Sequence, residues 1–174
     1  MKIPALRSLG ELADTSPKIV IDSREQTPLE FTRLQSIRGA LITGDYSIVG
    51  LEELFAVERK SIADLVACCM GENRQRLARE LHRLRGFRFK RLLIVGSEEE
   101  ILAARYHSAI TPKAVMATLG AFEARYDLPV VFRPSPQAAA QQIERWAYWY
   151  ARECMLSATR LTKANAREGS ETVS

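Results

Sequence analysis

No apolar run in the chain approaches the roughly 18–20 residues that cross a bilayer. The first residues, Met1–Leu6, hold no apolar stretch of signal-peptide length. Both absences point to an intracellular, cytoplasmic chain. Cysteine is scarce: there are three, and Cys68 and Cys69 are adjacent, which excludes a disulfide framework or a spaced zinc site. They read as reduced, small packing residues. Only two histidines are present, His82 and His107, too few for a histidine metal cluster. No internal repeat is visible. What remains is 174 residues, 47% hydrophobic and 26% charged, enough for one domain with a real core. The net charge of +4 admits a polyanionic partner without demonstrating one. The alanine- and arginine-rich composition and compact length fit a bacterial or phage protein.

Leu6, Leu9 and Leu12 suggest a short helical turn in an N-terminal segment, residues 1–17, that Thr15-Ser16-Pro17 breaks. Lys18–Ile21 is a β-branched strand ending in Asp22-Ser23-Arg24-Glu25. Gln26 to Arg38 reads as a loop, and Ala40–Thr43 as a short strand. Gly44-Asp45 marks a turn before extended Tyr46–Val49. Leu54–Val57, continuing into Glu58-Arg59-Lys60, is the returning strand of an antiparallel hairpin. Ser61 with Asp64 three residues later is a helix start. A second helix over Arg74–Arg85 sets Leu77, Leu81 and Leu84 on one face. Leu92–Val95 is a buried strand, Ser97 with Glu98–Glu100 a capped helix start, and Thr111-Pro112 the opening of a long helix. Pro129–Phe132 is the last strand. The final helix follows Pro136 with Ala139, Ile143, Trp146, Ala147, Tyr150 and Cys154 as its stripe. Trp149 lies off that stripe and suits a subunit contact. Residues 157–174 lose the period and are expected to be a flexible polar tail. Strands first, then alternating helices and strands, give an α/β domain around a mixed sheet over residues 18–156.

The chemistry concentrates between Gly44 and Asp64. On a strand, Glu58 and Lys60 share a face, opposite Val57 and Arg59. Asp45 on the neighbouring strand joins them if the register allows, and Asp22 can add a second carboxylate. Mg²⁺ and Mn²⁺ favour such oxygen ligands, and a lysine beside them can stabilise charge on a reacting phosphate. Downstream, from Glu72 to Arg91, eight arginines and lysines stand against two acids, Glu72 and Glu80. Arg74, Arg76, Arg79 and Arg83 give the second helix a basic surface suited to phosphate.

Gly44-Asp45, a spacer, Glu58-Arg59-Lys60, three residues and then Asp64 resemble the nuclease domain of the XPF family of structure-specific endonucleases. Ile21-Asp22-Ser23-Arg24-Glu25 resembles that family's Asp-x-Arg-Glu loop. The resemblance covers roughly residues 18–154. It implies a restriction-endonuclease-like fold: a mixed β-sheet with an early antiparallel hairpin and helices on both faces. It further implies a Mg²⁺- or Mn²⁺-dependent DNA endonuclease acting on branched or junction DNA in repair or recombination. Asp45 and Glu58 would be the principal metal ligands and Lys60 the catalytic lysine. Asp22, Arg24 and Asp64 would complete the site, and Arg59 would support it or reach phosphate. The family also dimerises through this domain, which makes the Trp146–Tyr150 region a candidate homodimer or partner contact. Two departures stand out. Family members commonly carry tandem helix-hairpin-helix motifs after the nuclease domain, and the polar tail leaves no room for them, so either the chain is a stand-alone nuclease or a partner supplies that grip. The segment Cys68-Cys69-Met70-Gly71-Glu72-Asn73-Arg74 also differs from the usual Ser and Gly-Arg-Leu. Two other readings stay open: a non-catalytic DNA-binding scaffold subunit, and a phosphohydrolase of a small substrate.

Overall fold

The computed structural model describes residues 16–171, and side chains as far as Ala164. The helical turn expected at Leu6–Leu12 lies outside the described residues. The strands are β1 (Ile19–Asp22), β2 (Ser36–Gly39), β3 (Tyr46–Ile48), β4 (Phe55–Ser61), β5 (Phe89–Val95) and β6 (Val130–Arg133). The helices are α1 (Ile62–Ala67), α2 (Gly71–Leu84), α3 (Glu98–Leu102), α4 (Pro112–Tyr126) and α5 (Pro136–Glu171). The strands form one sheet in the order β2-β1-β3-β4-β5-β6. β3 is antiparallel to both β1 and β4, whereas β1–β2, β4–β5 and β5–β6 are parallel. This is the expected mixed α/β sheet with an early hairpin.

Period-2 alternation builds two cores. Ala56, Leu92 and Ile94 face Leu65, Leu77, Leu81, Leu119 and Phe122 of α1, α2 and α4. Ile19, Tyr46, Phe55, Val57 and Leu93 face Ala139, Ile143 and Ala147 of α5 on the other side. The alternation carries on past the core. Beyond Ala56, the same side of β4 next presents Glu58 and Lys60 toward the α1–α2 layer, and Arg59 points to the α5 side. The core thus dictates which charged side chains can meet. No helix among the described residues is long and apolar enough to cross a membrane.

Three local expectations are corrected. The second strand is Ser36–Gly39, inside the stretch read as a loop, and Ala40–Thr43 is irregular. β2 is an edge strand with largely exposed side chains, so it lacks an apolar pattern. Leu41 is apolar because it tucks in beside Asp22, whereas Ile42 is exposed. The tail expected over 157–174 is helical as far as Glu171, a continuation of α5. Ala, Arg, Leu and Lys favour helix there, and the period fades because that part of the helix faces no core.

One buried acid ties the β1–β2 connection to α5. Glu144 Oε1 accepts the backbone N–H groups of Thr32 (2.9 Å), Arg33 (2.6 Å) and Leu34 (3.1 Å). Tyr46 does the same work nearer the sheet, its hydroxyl accepting the Leu29 N–H at 3.0 Å. The connection that carries Arg24 and Glu25 is therefore held at both levels.

Candidate active site

The end of β4, the start of β3 and the loop after β1 converge. Gly44 has φ +81°, and a Cβ there would lie 3.3 Å from the Val57 carbonyl oxygen. Glycine lets the chain turn sharply against β4 and enter β3 with Asp45 already in place. The Asp45 N–H donates to Val57 O (2.8 Å), and the Asp45 carbonyl accepts the Asp22 N–H (2.8 Å). The Arg59 N–H donates to Asp45 Oδ2 at 2.7 Å. Asp45 is thereby fixed to β1 and β4 at once.

Glu58 is buried, and its Oε1 accepts from Lys60 Nζ. Burial pushes the Glu58 carboxyl up against the opposing pull of Lys60. Asp45 is pushed up to about 7, first by burial and then by the charge of Glu58. Burial alone would lower the Lys60 ammonium, but Glu58 outweighs it and the net shift is upward. Half-buried Asp45 and buried Glu58 thus both feel the charge of Lys60. An open cavity of about 430 Å³ reaches Asp45 and Lys60, lined also by Arg24, Arg59, Asp64, Asn73 and Arg76, with Glu58 buried behind it.

Not every expected residue joins this centre. Asp22 Oδ1 accepts from the Arg24 backbone N–H and Nε, both at 2.8 Å. Its Oδ2 accepts from Arg24 Nη2 at 3.0 Å and from the Leu41 N–H at 2.8 Å. The carboxylate is 2% exposed and held at about 2, chiefly by Arg24. All four bonds go to protein donors, so Asp22 acts as the clamp of its loop. Asp64 caps α1: its N–H donates to Ser61 Oγ at 3.1 Å, and its Oδ2 accepts from that hydroxyl at 2.8 Å. Arg59 is not free to meet phosphate. Its Nε and Nη2 lie 3.1 and 2.9 Å from Glu25 Oε2 and Oε1, in a pair whose side chains are 13% and 5% exposed. Burial raises Glu25, but Arg59 overrides it and the net shift is downward.

On α2, Arg76 lines the cavity, and the exposed Arg79 and Arg83 continue one face away from it. Arg74 turns elsewhere, its guanidinium 6.0 Å from the Phe122 ring centre. Two residues not singled out as site residues belong here. Glu25 locks Arg59. Half-buried Glu80 lies on the same α2 stripe as Asn73 and Arg76. The spacing of 73, 76 and 80 was the available signal for Glu80. For Glu25 the Asp-x-Arg-Glu loop was the signal, but nothing marked its partner Arg59, 34 residues away.

Asp22 gives a test of the clamp. Its folded-state value near 2 lies below the ordinary 3.8, so its stabilisation is present above pH 3.8 and lost as pH falls toward 2. Asp22→Asn should cost about 2 kcal/mol at neutral pH. Urea unfolding of both proteins should show the gap closing between about pH 4 and 2.

A family profile described as the ERCC4 domain matches residues 21–145, a span that holds every residue of the candidate site. The chain belongs to the ERCC4 domain family. Its fold is that of XPF nuclease structures. It superimposes on XPF from Aeropyrum pernix with a TM-score of 0.61 and 23% identity, over 75% of this chain and 60% of that one. It is similar also to XPF from Aeropyrum pernix in complex with DNA, with a TM-score of 0.60 and 19% identity, over 79% of this chain and 66% of that one. The chain thus spans less than two thirds of either structure's length. No curated protein matches it.

The donor set suits a divalent cation. Among the described residues no three His, Cys, Asp or Glu side chains converge to hold a metal ion. Two do come together, Asp45 and Glu58, and Mg²⁺ characteristically takes only one or two protein carboxylates beside water and phosphate. The upward push on both acids is what a cation would relieve.

Proposed function

We propose that this ERCC4-family domain is a Mg²⁺- or Mn²⁺-dependent DNA endonuclease that hydrolyses phosphodiesters at branched or single-strand/duplex junctions. The observation that carries the reading is the pair of acids, half-buried Asp45 and buried Glu58, beside Lys60, where Asp45 and Lys60 open onto a cavity rimmed by Arg24 and Arg76. A divalent cation held by Asp45 and Glu58 would acidify water and offset charge on the phosphate. Lys60 places its ammonium against the negative charge that builds as water oxygen bonds to phosphorus and the phosphorus–oxygen bond of the leaving nucleoside breaks. Arg76, Arg79 and Arg83 hold the flanking phosphates along α2. Asp64 and Asp22 keep α1 and the β1–β2 connection in place around the site.

Subunit pairing belongs to the same reading. Tyr148 and Trp149 are 47% and 52% exposed on α5 and stack edge to face, with ring centres 5.4 Å apart. That outer face suits a second subunit, through which a duplex grip could be added. A larger cavity of about 600 Å³ runs beneath it, and its one acid, Glu144, gives Oε1 to backbone N–H groups while Oε2 stays buried without a partner.

The test is a cleavage panel of duplex, single strand, flap, splayed fork and four-way junction, each with Mg²⁺, Mn²⁺ or EDTA. Cutting of branched substrates with either cation, and none in EDTA, is expected. Tight binding with no cutting of any substrate in Mn²⁺ would favour a scaffold role instead.

A further inference from the structure

Lys60 faces two demands that one partner cannot meet. In this structure its ammonium sits on Glu58 Oε1. Under the reading above, Glu58 must turn its carboxylate to a divalent cation, and Lys60 loses the one salt-bridge partner it has among the described residues. An ammonium in this cavity is 17% exposed, so it needs another acid rather than bulk water.

Glu80 is placed to be that acid. Glu58 and Lys60 leave β4 on the side that α2 covers, as Ala56 does two residues earlier. On α2, Asn73 and Arg76 line the cavity, and Glu80 follows one turn after Arg76 on the same stripe. Glu80 is half-buried and has arginines at positions 76, 79 and 83. Yet among the described residues it enters no salt bridge. Its negative charge bears instead on Lys60, Glu58 and Arg24. A surface acid flanked by arginines at helical spacing would ordinarily pair with one of them. This one is half-buried on the α2 stripe whose Asn73 and Arg76 share a cavity with Lys60. It does not gather with Asp45 and Glu58 into a three-acid metal group, so its role is toward Lys60.

We infer that Glu80 is a positioning residue, the second anchor of Lys60, which receives the ammonium when Glu58 is taken by a divalent cation. The exchange frees Glu58 without casting Lys60 loose, and it sets the ammonium on the α2 side of the cavity, where Arg76 approaches. This rests on the cation site proposed above.

The test measures Mn²⁺ binding to the full chain without DNA, by calorimetry, in four proteins: wild type, Glu80→Gln, Lys60→Met and the double variant. Glu80→Gln should weaken Mn²⁺ binding about tenfold, the usual scale for a group that supports a metal ligand. Its thermal midpoint without added cation should shift by no more than a few degrees, since Glu80 enters no salt bridge among the described residues. Lys60→Met should bind Mn²⁺ more tightly than wild type. Adding Glu80→Gln to Lys60→Met should change nothing further. An unchanged affinity in Glu80→Gln overturns the inference, and so does an equal loss in the Lys60→Met background. In either case a wild type that binds Mn²⁺ and cuts DNA keeps the nuclease reading. A wild type that neither binds Mn²⁺ nor cuts removes both.

Discussion

Lys60→Ala is expected to lose about 10²–10³-fold in single-turnover cleavage, the scale for removing one charge-stabilising group from a transition state. DNA affinity should barely change, because Lys60 is one positive charge beside Arg24, Arg76, Arg79 and Arg83. The split between rate and binding matters. A lysine that only held phosphate in the ground state would lower affinity and leave the rate at saturation unaltered. The fold should survive. Removing Lys60 leaves Glu58 buried without a cation, but that carboxyl is already pushed toward its neutral form and can take a proton. Circular dichroism and a melting curve, run beside the quenched-flow assay, check that point.

The second large effect falls on stability. Glu25→Ala strips Arg59 of a bidentate partner where both side chains are nearly buried. Leaving one half of such a pair uncompensated costs about 3–5 kcal/mol. Urea unfolding should show this loss for Glu25→Ala and a similar one for Arg59→Ala. The paired replacement Glu25→Leu with Arg59→Met should recover most of it, since apolar side chains of like size commonly substitute for a buried pair at little cost. The consequence reaches the site through one bond. The Arg59 N–H holds Asp45 Oδ2 at 2.7 Å, so a loosened Arg59 loosens Asp45. Equal stability in all four proteins would show that the pair carries no structural weight.

These effects also explain what the sequence could and could not display. The Asp45–Glu58–Lys60 group was legible because strand alternation and one short hairpin decide it: Tyr46 pairs with Val57, and the neighbours follow. The core stripes of α2, α4 and α5 were legible for the same local reason, each being a period of 3.6 over several turns. The capping box at Ser97 and Glu100 needed only four residues. Long-range pairings carried no such mark. Nothing in Glu25 announces Arg59, and nothing in Glu144 announces the backbone of Thr32–Leu34. β2 was missed because an exposed edge strand has no face to pattern. Arg74 and Arg76 look alike in sequence. Their separation, one at the Phe122 ring and the other in the cavity, comes from helix rotation once Leu77 and Leu81 are seated.

The most direct measurement is cleavage of a splayed-fork DNA by Asp45→Asn protein beside wild type, in Mn²⁺, with both shown folded and DNA-binding. Wild type should cut and stop on addition of EDTA, and Asp45→Asn should lose cutting at every Mn²⁺ concentration. Full cleavage by the purified Asp45→Asn protein would contradict the assignment of this site.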